Sequence, residues 1–260
     1  MIRPSGSRLH HGPYDLSLDQ GERVAILGPS GAGKSTLLKL IAGDLAPSSG
    51  HVWLGGDRLH ELDRQTLSTT RAVLPQGHAV AFGLDVALVV ALGRSARLQD
   101  PNLHAIVWQS LALARASHLR SRRFDTLSGG EQARVQLARV FAQLWDREGG
   151  LVLLDEPLAA LDPGLQFDLM DAIHAFATER QHAVIAVVHD INQAFGSFDR
   201  LWLVRDGKLF ADTPVGPDAI GPLGDLYGIG LQVVNDGLGG LAVVANRRHG
   251  WVEQKGVRAA

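Results

Sequence analysis

The 260-residue chain contains no cysteine. A disulfide framework, a thiolate metal site and a cysteine redox centre are therefore excluded, and the composition fits a reducing compartment. Long apolar runs are also missing. A membrane-spanning helix needs roughly 18 apolar residues, and the best candidate, Val86 to Leu92, is short, with Asp85 before it and Gly93-Arg94 after. The opening Met1-Ile2-Arg3-Pro4-Ser5-Gly6 lacks the apolar core of a secretion signal. Any membrane role is expected to run through a partner. Excess charge is lacking too: 25 Lys+Arg face 27 Asp+Glu, a net charge of −2. That balance argues against a dedicated nucleic-acid binder held by a strong positive field, although it leaves room for a local basic patch. There is no internal repeat and no low-complexity segment.

The residues that are present point to a packed globular protein. Hydrophobic residues make up 45% and charged residues 20%, enough to bury a large core in one or two lobes. The 30 glycines, about 12% against an average near 7%, imply tight turns or close backbone approach to a ligand. Three almost continuously apolar runs read as parallel strands covered on both faces: Arg23 to Leu27, Leu151 to Leu154 and Ala183 to Val188. Each is followed by polar or glycine residues, at the edge where open α/β sheets place ligands. Ser35 to Ala42 and Gln166 to Thr178 read as helices between them. Gln99 to Trp145 shows no convincing strand. Leu103, Ile106, Val107, Leu111 and Leu113 suit helix faces there, and Glu131 to Trp145 reads as a strong helix. Hairpins are expected at Gly55-Gly56, between His51–Leu54 and Arg58-Leu59, and at Asp206-Gly207, between Leu201–Val204 and Lys208–Phe210. Past Pro214 the chain is rich in Gly and Pro and ends in a candidate hairpin, Leu231–Val234 against Leu241–Ala245.

Gly28-Pro29-Ser30-Gly31-Ala32-Gly33-Lys34-Ser35, with Thr36 next, matches G-x-x-x-x-G-K-[ST] between a strand and a helix, the context that gives this motif its meaning. Glycines let backbone N–H groups curl around phosphate oxygens, and the helix start adds partial positive charge. Lys34 is expected to reach the β- and γ-phosphates and Ser35 to ligate Mg²⁺. Leu151 to Leu154 runs into Asp155-Glu156-Pro157. Alone, that pair would read as a helix cap. Beside a phosphate loop, Asp155 becomes the expected Mg²⁺ partner and Glu156 the candidate general base that polarises the attacking water.

Leu127-Ser128-Gly129-Gly130-Glu131-Gln132 stands between these elements. Taken alone, Ser-Gly-Gly before a helix is a cap and a loop. With the phosphate loop, it makes the chain closely resemble the ATP-binding-cassette ATPases, from about Gly21 to Gly207. The resemblance implies an α/β P-loop NTPase (RecA-like) core sheet, an antiparallel β subdomain and an inserted α-helical subdomain. It also implies a single nucleotide-binding domain over 1–260: core and β subdomain at 1–80 and 146–213, helical subdomain at 81–145, extension at 214–260. The cofactors implied are ATP and Mg²⁺. The signature residues Ser128, Gly129, Gly130 and Glu131 of one copy would close on the γ-phosphate held by the loop of another, in a head-to-tail homodimer. Gln76, in Leu74-Pro75-Gln76, resembles the glutamine that touches Mg²⁺ and the attacking water. Ala159-Ala160-Leu161-Asp162 resembles the loop that crosses the dimer interface. His189, followed by Asp190, resembles the switch histidine that contacts the γ-phosphate and holds Glu156. The family's usual adenine-stacking aromatic is unassigned: Tyr14 stands too close to Gly28, and His10 or His11 are alternatives.

Two functional classes are open, a transporter motor and a soluble cassette ATPase acting on nucleic acid or ribosomes. A single compact cassette without cysteines or extended heptads favours the first. Ala133 to Trp145 and Tyr227-Gly228 resemble bacterial haem importer ATPases, with iron-siderophore and cobalamin importers as alternatives. The resemblance implies two copies under two permease subunits at the cytoplasmic face of the bacterial inner membrane. A periplasmic or lipid-anchored haem-binding protein would feed the complex, and no nucleic acid is expected. His78 to Phe82 would line the groove for a permease helix, or pack in the core. Arg120, Arg122 and Arg123 read as a solvated loop or as support near the nucleotide phosphates. The pair His10-His11 reads as exposed histidines, and nothing indicates that this chain itself binds haem.

Overall fold

The computed structural model describes residues 12–77, 83–97, 99–158, 161–235 and 241–246. His10, His11, His78 to Phe82, Ala159 and Ala160 lie outside them. The strands are β1 (Arg23–Leu27), β2 (Trp53–Leu54), β3 (Asp57–Arg58), β4 (Arg71–Leu74), β5 (Leu151–Asp155), β6 (Ala183–Val187), β7 (Arg200–Arg205), β8 (Lys208–Pro214), β9 (Gly230–Asn235) and β10 (Leu241–Asn246). The helices are α1 (Lys34–Ala42), α2 (Arg64–Thr70), α3 (Val86–Ala91), α4 (Leu103–Leu113), α5 (Gly129–Leu144), α6 (Pro163–Arg180), α7 (Ile191–Ser197) and α8 (Ile220–Tyr227). The main sheet runs β4-β5-β6-β1-β7-β8. Its first five strands are parallel, and β8 returns antiparallel to β7. This is the expected mixed α/β core.

The apolar strands serve two cores, because alternate side chains leave opposite faces of a sheet. Ala25, Leu27, Val152, Leu154, Val184, Ala186, Leu201 and Leu203 face the larger one, shared with α3 to α8. Val24, Ile26, Leu151, Leu153, Ile185, Val187, Trp202 and Val204 face the smaller one, shared with α1 and with Tyr14, Leu16 and Leu18. A strand buried on both sides can spare no position for a polar residue, which is why these runs are so continuous. The stretch 99–145 holds α4 and α5, as expected, and no strand among its described residues.

Both internal hairpins turn where anticipated. Gly55 and Gly56 have φ of 63° and 94°, and Asp206 and Gly207 have φ of 52° and 74°, the double left-handed geometry that suits a two-residue turn. The first hairpin is shorter than expected, pairing only Trp53 with Arg58 and Leu54 with Asp57. Leu59, just past β3, is buried, and its N–H still donates to the Val52 oxygen at 2.8 Å. Four elements carry no clear signal in the sequence: β4, α2, α7 and α8.

His182, the residue just before β6, is fully buried. Its Nδ1 accepts the Gly150 N–H at 2.9 Å, and its ring lies 4.9 Å from that of Phe176. Burial, with Arg180 and Arg147 nearby, lowers its pKa from 6.5 to about 4. The unfolded chain therefore takes up this proton first as pH falls, so stability is lost from about pH 6.5 downward until the native ring titrates near 4. Between about pH 7.5 and about pH 5, the loss from this one group is roughly 2 kcal/mol. Urea unfolding of wild type and His182→Asn at both pH values measures it. The variant is expected to lose about 2 kcal/mol less than wild type, and equal losses would refute the assignment.

Candidate functional site

Four parallel strands end at one edge of the sheet, and their register lines up the residues just past each strand end. Leu74 pairs with Leu154, Asp155 with Val187, and Val187 with Ile26. Two residues beyond the first pair stand Gln76 and Glu156. Just beyond the others come His189 and the loop starting at Gly28.

That loop is shaped by two constraints. Gly33, which precedes α1, has φ of 101°, a conformation other residues adopt only with strain. A Cβ on Gly28 would lie 2.2 Å from the Val204 carbonyl oxygen, so only glycine lets β1 and β7 lie this close. Lys34 is buried. Its Nζ donates to the Gly28 oxygen at 2.9 Å and the Pro29 oxygen at 3.0 Å. Burial pulls its pKa down, against the attraction of Glu156 and Asp155. No side chain caps α1 and its first turn holds no acidic residue. The N–H groups of Lys34, Ser35 and Thr36 thus open toward the cradle formed by Pro29, Ser30, Gly31 and Ala32, as an anion site requires.

Ser35 Oγ donates to Asp155 Oδ1 at 3.2 Å, across 120 residues of chain. Burial raises the Asp155 pKa. Neighbouring Glu156 adds to the rise, while Ser35, Lys39 and Lys34 oppose it. Glu156 has φ of 51°, a left-handed backbone that a side-chain-bearing residue holds at some cost. The twist turns its carboxylate between two partners. Gln76 Nε2 donates to Oε2 at 2.6 Å, and His189 Nε2 lies 2.6 Å from Oε1. Only 17% of the Glu156 side chain is exposed, so these contacts, not solvent, set its direction.

The structure brings Lys34, Ser35, Asp155, Glu156, Gln76 and His189 together, but keeps the signature residues apart. Ser128 caps α5. Its Oγ accepts from the Glu131 N–H at 3.3 Å, and Glu131 Oε2 accepts from the Ser128 N–H at 2.8 Å. Arg122 Nη1 donates to Glu131 Oε1 at 3.0 Å. Glu131 is thus engaged in its own turn, with its pKa lowered chiefly by the Ser128 N–H. Gly129 has open space at its Cβ position, whereas a Cβ on Gly130 would meet Leu165 Cδ2 at 2.7 Å. Asp162 caps α6 by accepting from the Leu165 N–H at 3.0 Å. Among the described residues, no hydrogen bond or ion pair joins Ser128–Glu131 or Asp162 to the phosphate loop or to Glu156.

Three further contacts were not legible in the sequence. Arg122 holds the signature turn, bonding Glu131 and the Thr126 carbonyl, and no local pattern announces that pairing. Tyr14 is tied down: its hydroxyl donates to the Gly207 oxygen at 2.8 Å, and burial raises its pKa to about 12. Tyr227, noted in the sequence only as part of a resemblance, packs half-buried against the larger core.

A family model described as ABC transporter matches residues 12–159. The hemin import ATP-binding protein HmuV of Pseudomonas entomophila is 43% identical over 224 residues, covering 84% of this chain and 86% of that protein. HmuV of Methylobacillus flagellatus is 39% identical over 247 residues, covering 91% of each. Among solved structures, the ATP-binding cassette MJ0796, in a dimeric post-hydrolysis state bound to ADP and Pi, superposes with a TM-score of 0.68. It is 25% identical over 77% of this chain and 88% of its own.

Proposed function

This chain belongs to the ABC transporter family, and from that premise we propose that it is the ATP-hydrolysing subunit of a bacterial haem importer. The observation that carries the proposal is the Glu156 carboxylate, held between Gln76 and His189 at 2.6 Å each beside a lysine-bearing phosphate cradle. That arrangement is suited to in-line attack of water on a terminal phosphate: a polarising carboxylate, fixed in direction, next to a site that holds the phosphate chain.

On this reading the open amides of Lys34 to Thr36 and the Lys34 ammonium bind the phosphates. Glu156 draws the proton from the attacking water. His189 holds Glu156 and reaches the γ-phosphate, and Gln76 orients the water from the opposite side. The neighbouring oxygens of Ser35 and Asp155 suit a hard cation, with Gln76 at its edge. A bound Mg²⁺ would offset the phosphate charge. Ser128, Gly129 and Gly130 sit at the amide end of the 16-residue α5, apart from the loop of their own chain. They would therefore serve the nucleotide of a second copy, with Glu131 shaping the turn and Asp162 at the crossing. Segments 1–80 and 146–213 form the core and β subdomain, 81–145 the helical subdomain and 214–260 an extension.

No helix among the described residues is long and apolar enough to cross a membrane. Force would reach the cargo through two permease subunits, with the ATPase at the cytoplasmic face of the inner membrane. Haem is proposed as cargo because the HmuV relatives are named for hemin import. The test is to reconstitute the chain with its permease and measure ATP hydrolysis and uptake with loaded binding proteins. A haem carrier is expected to stimulate both. Stimulation by a cobalamin or ferric-siderophore carrier alone would replace the cargo, and ATP hydrolysis driven by DNA or ribosomes would replace the class.

A further inference from the structure

The turn that opens α5 uses part of its hydrogen bonding on itself. Glu131 Oε2 accepts from the Ser128 N–H at 2.8 Å, and the Glu131 N–H donates to Ser128 Oγ at 3.3 Å. The Gln132 N–H donates to the Ser128 carbonyl at 2.9 Å. Among the described residues, that leaves the Gly129 and Gly130 N–H groups and the Ser128 O–H without a partner, and Ser128 and Gly129 are exposed. Three such donors suit an anion, yet the Glu131 carboxylate beside them repels one.

Arg122 answers that charge. Its Nη1 donates to Glu131 Oε1 at 3.0 Å and its Nη2 to the Thr126 carbonyl at 3.3 Å. One carboxylate therefore joins the guanidinium, through Oε1, to the first residue of the turn, through Oε2. Arg122 is itself anchored by its backbone. Its carbonyl accepts from the Val86 N–H at 2.9 Å, the Arg120 carbonyl accepts from the Ala87 N–H at 3.2 Å, and the Phe124 N–H donates to the Leu84 carbonyl at 2.9 Å. No side chain caps α3, and the carbonyls of this loop do so instead. Leu119 and Phe124, on either side of the arginines, are buried in the larger core. The neighbouring arginines are engaged elsewhere. Arg120 lies over the Trp108 ring at 5.7 Å, and Arg123 pairs with Asp125 at 2.7 Å.

We propose that Arg122 is a positioning residue for the turn Ser128–Glu131. It fixes Glu131 and offsets its charge, so that the three open donors can meet a phosphate. The inference rests on the proposed ATPase function. Arg122 acts through Glu131 and does not touch the reacting atoms. The two side chains are 45% and 20% exposed, and an ion pair so open to solvent contributes little to folding. Its effect is therefore expected in turnover, where the turn faces the γ-phosphate held by a second copy. Stability and the phosphate loop of the same chain should be untouched.

The experiment compares the full chain as wild type, Arg122→Ala, Arg122→Lys and Arg120→Ala. ATP binding and melting temperature are measured on the chain alone. ATP hydrolysis against ATP concentration is measured on the chain assembled with its permease. For Arg122→Ala, kcat is expected to fall about three- to tenfold, the size of one partly exposed hydrogen bond. ATP affinity and melting temperature of the chain alone are expected to stay at the wild-type values. Arg122→Lys keeps the positive charge and should recover most of the loss, and Arg120→Ala should turn over like wild type. Wild-type kcat in Arg122→Ala would overturn the proposal. So would an equal loss in Arg120→Ala or in Arg122→Lys. A loss that comes with weaker ATP binding by the chain alone, or with a lower melting temperature, would also overturn it, since that marks a merely structural role. Wild-type protein that neither binds nor hydrolyses ATP would instead overturn the underlying ATPase function.

Discussion

Glu156→Gln is expected to lower ATP turnover by about 10²- to 10⁴-fold while leaving ATP binding intact. The wild-type carboxylate sits 2.6 Å from both Gln76 Nε2 and His189 Nε2. A glutamine has the same shape and can still accept from one partner, while the Gln76 amide can turn to meet the other. The backbone, already left-handed at this position, has no new reason to move. The loss is the negative charge that draws a proton from water. Removing it also relieves repulsion with a bound triphosphate and with Asp155, whose pKa Glu156 helps to raise. Nucleotide affinity should therefore hold or increase. Steady-state phosphate release and a nucleotide-binding titration on the assembled complex separate the two effects. Turnover within a few-fold of wild type would mean that another group polarises the water.

Lys34→Ala is expected to act earlier, weakening ATP binding by roughly 10- to 100-fold, in keeping with hydrogen bonds made by a charged donor. The ammonium is buried and is held inside the cradle by the loop's own carbonyls. Its removal deletes the positive charge a triphosphate would meet. It also leaves the Gly28 and Pro29 oxygens pointing inward without their partner, beside two carboxylates. Both changes disfavour an anion, so the effect should exceed that of losing a surface lysine. Calorimetric titration with ATP on wild type and variant measures it directly. Unchanged affinity would remove the phosphate-loop assignment, and with it the basis for placing Glu156 in hydrolysis.

The two variants draw on different levels of legibility. The cradle could be read locally, because Gly28 to Ser35 is a contiguous string whose glycines and lysine act through nearby backbone. The β1, β5 and β6 strands could be read because burial on both faces leaves a continuous apolar run. The β4 strand could not: it is four residues long and begins with Arg71, whose side chain reaches Asp44. Nor could α8, since Gly221, Pro222 and Gly224 all depress helix propensity. Burying Leu223 and Leu226 against the core outweighs that local preference.

Residue identity, the phosphate cradle, the capped signature helix and the two-faced strands come from the order of amino acids alone, because each depends on neighbours within a few positions. The meeting of Gln76 with Glu156 across 80 residues, the left-handed turn that aims that carboxylate and the diversion of Tyr14 to Gly207 do not. They arise from strand register and from packing between distant segments. Such contacts form only when the whole sheet closes, so no short window of sequence contains them.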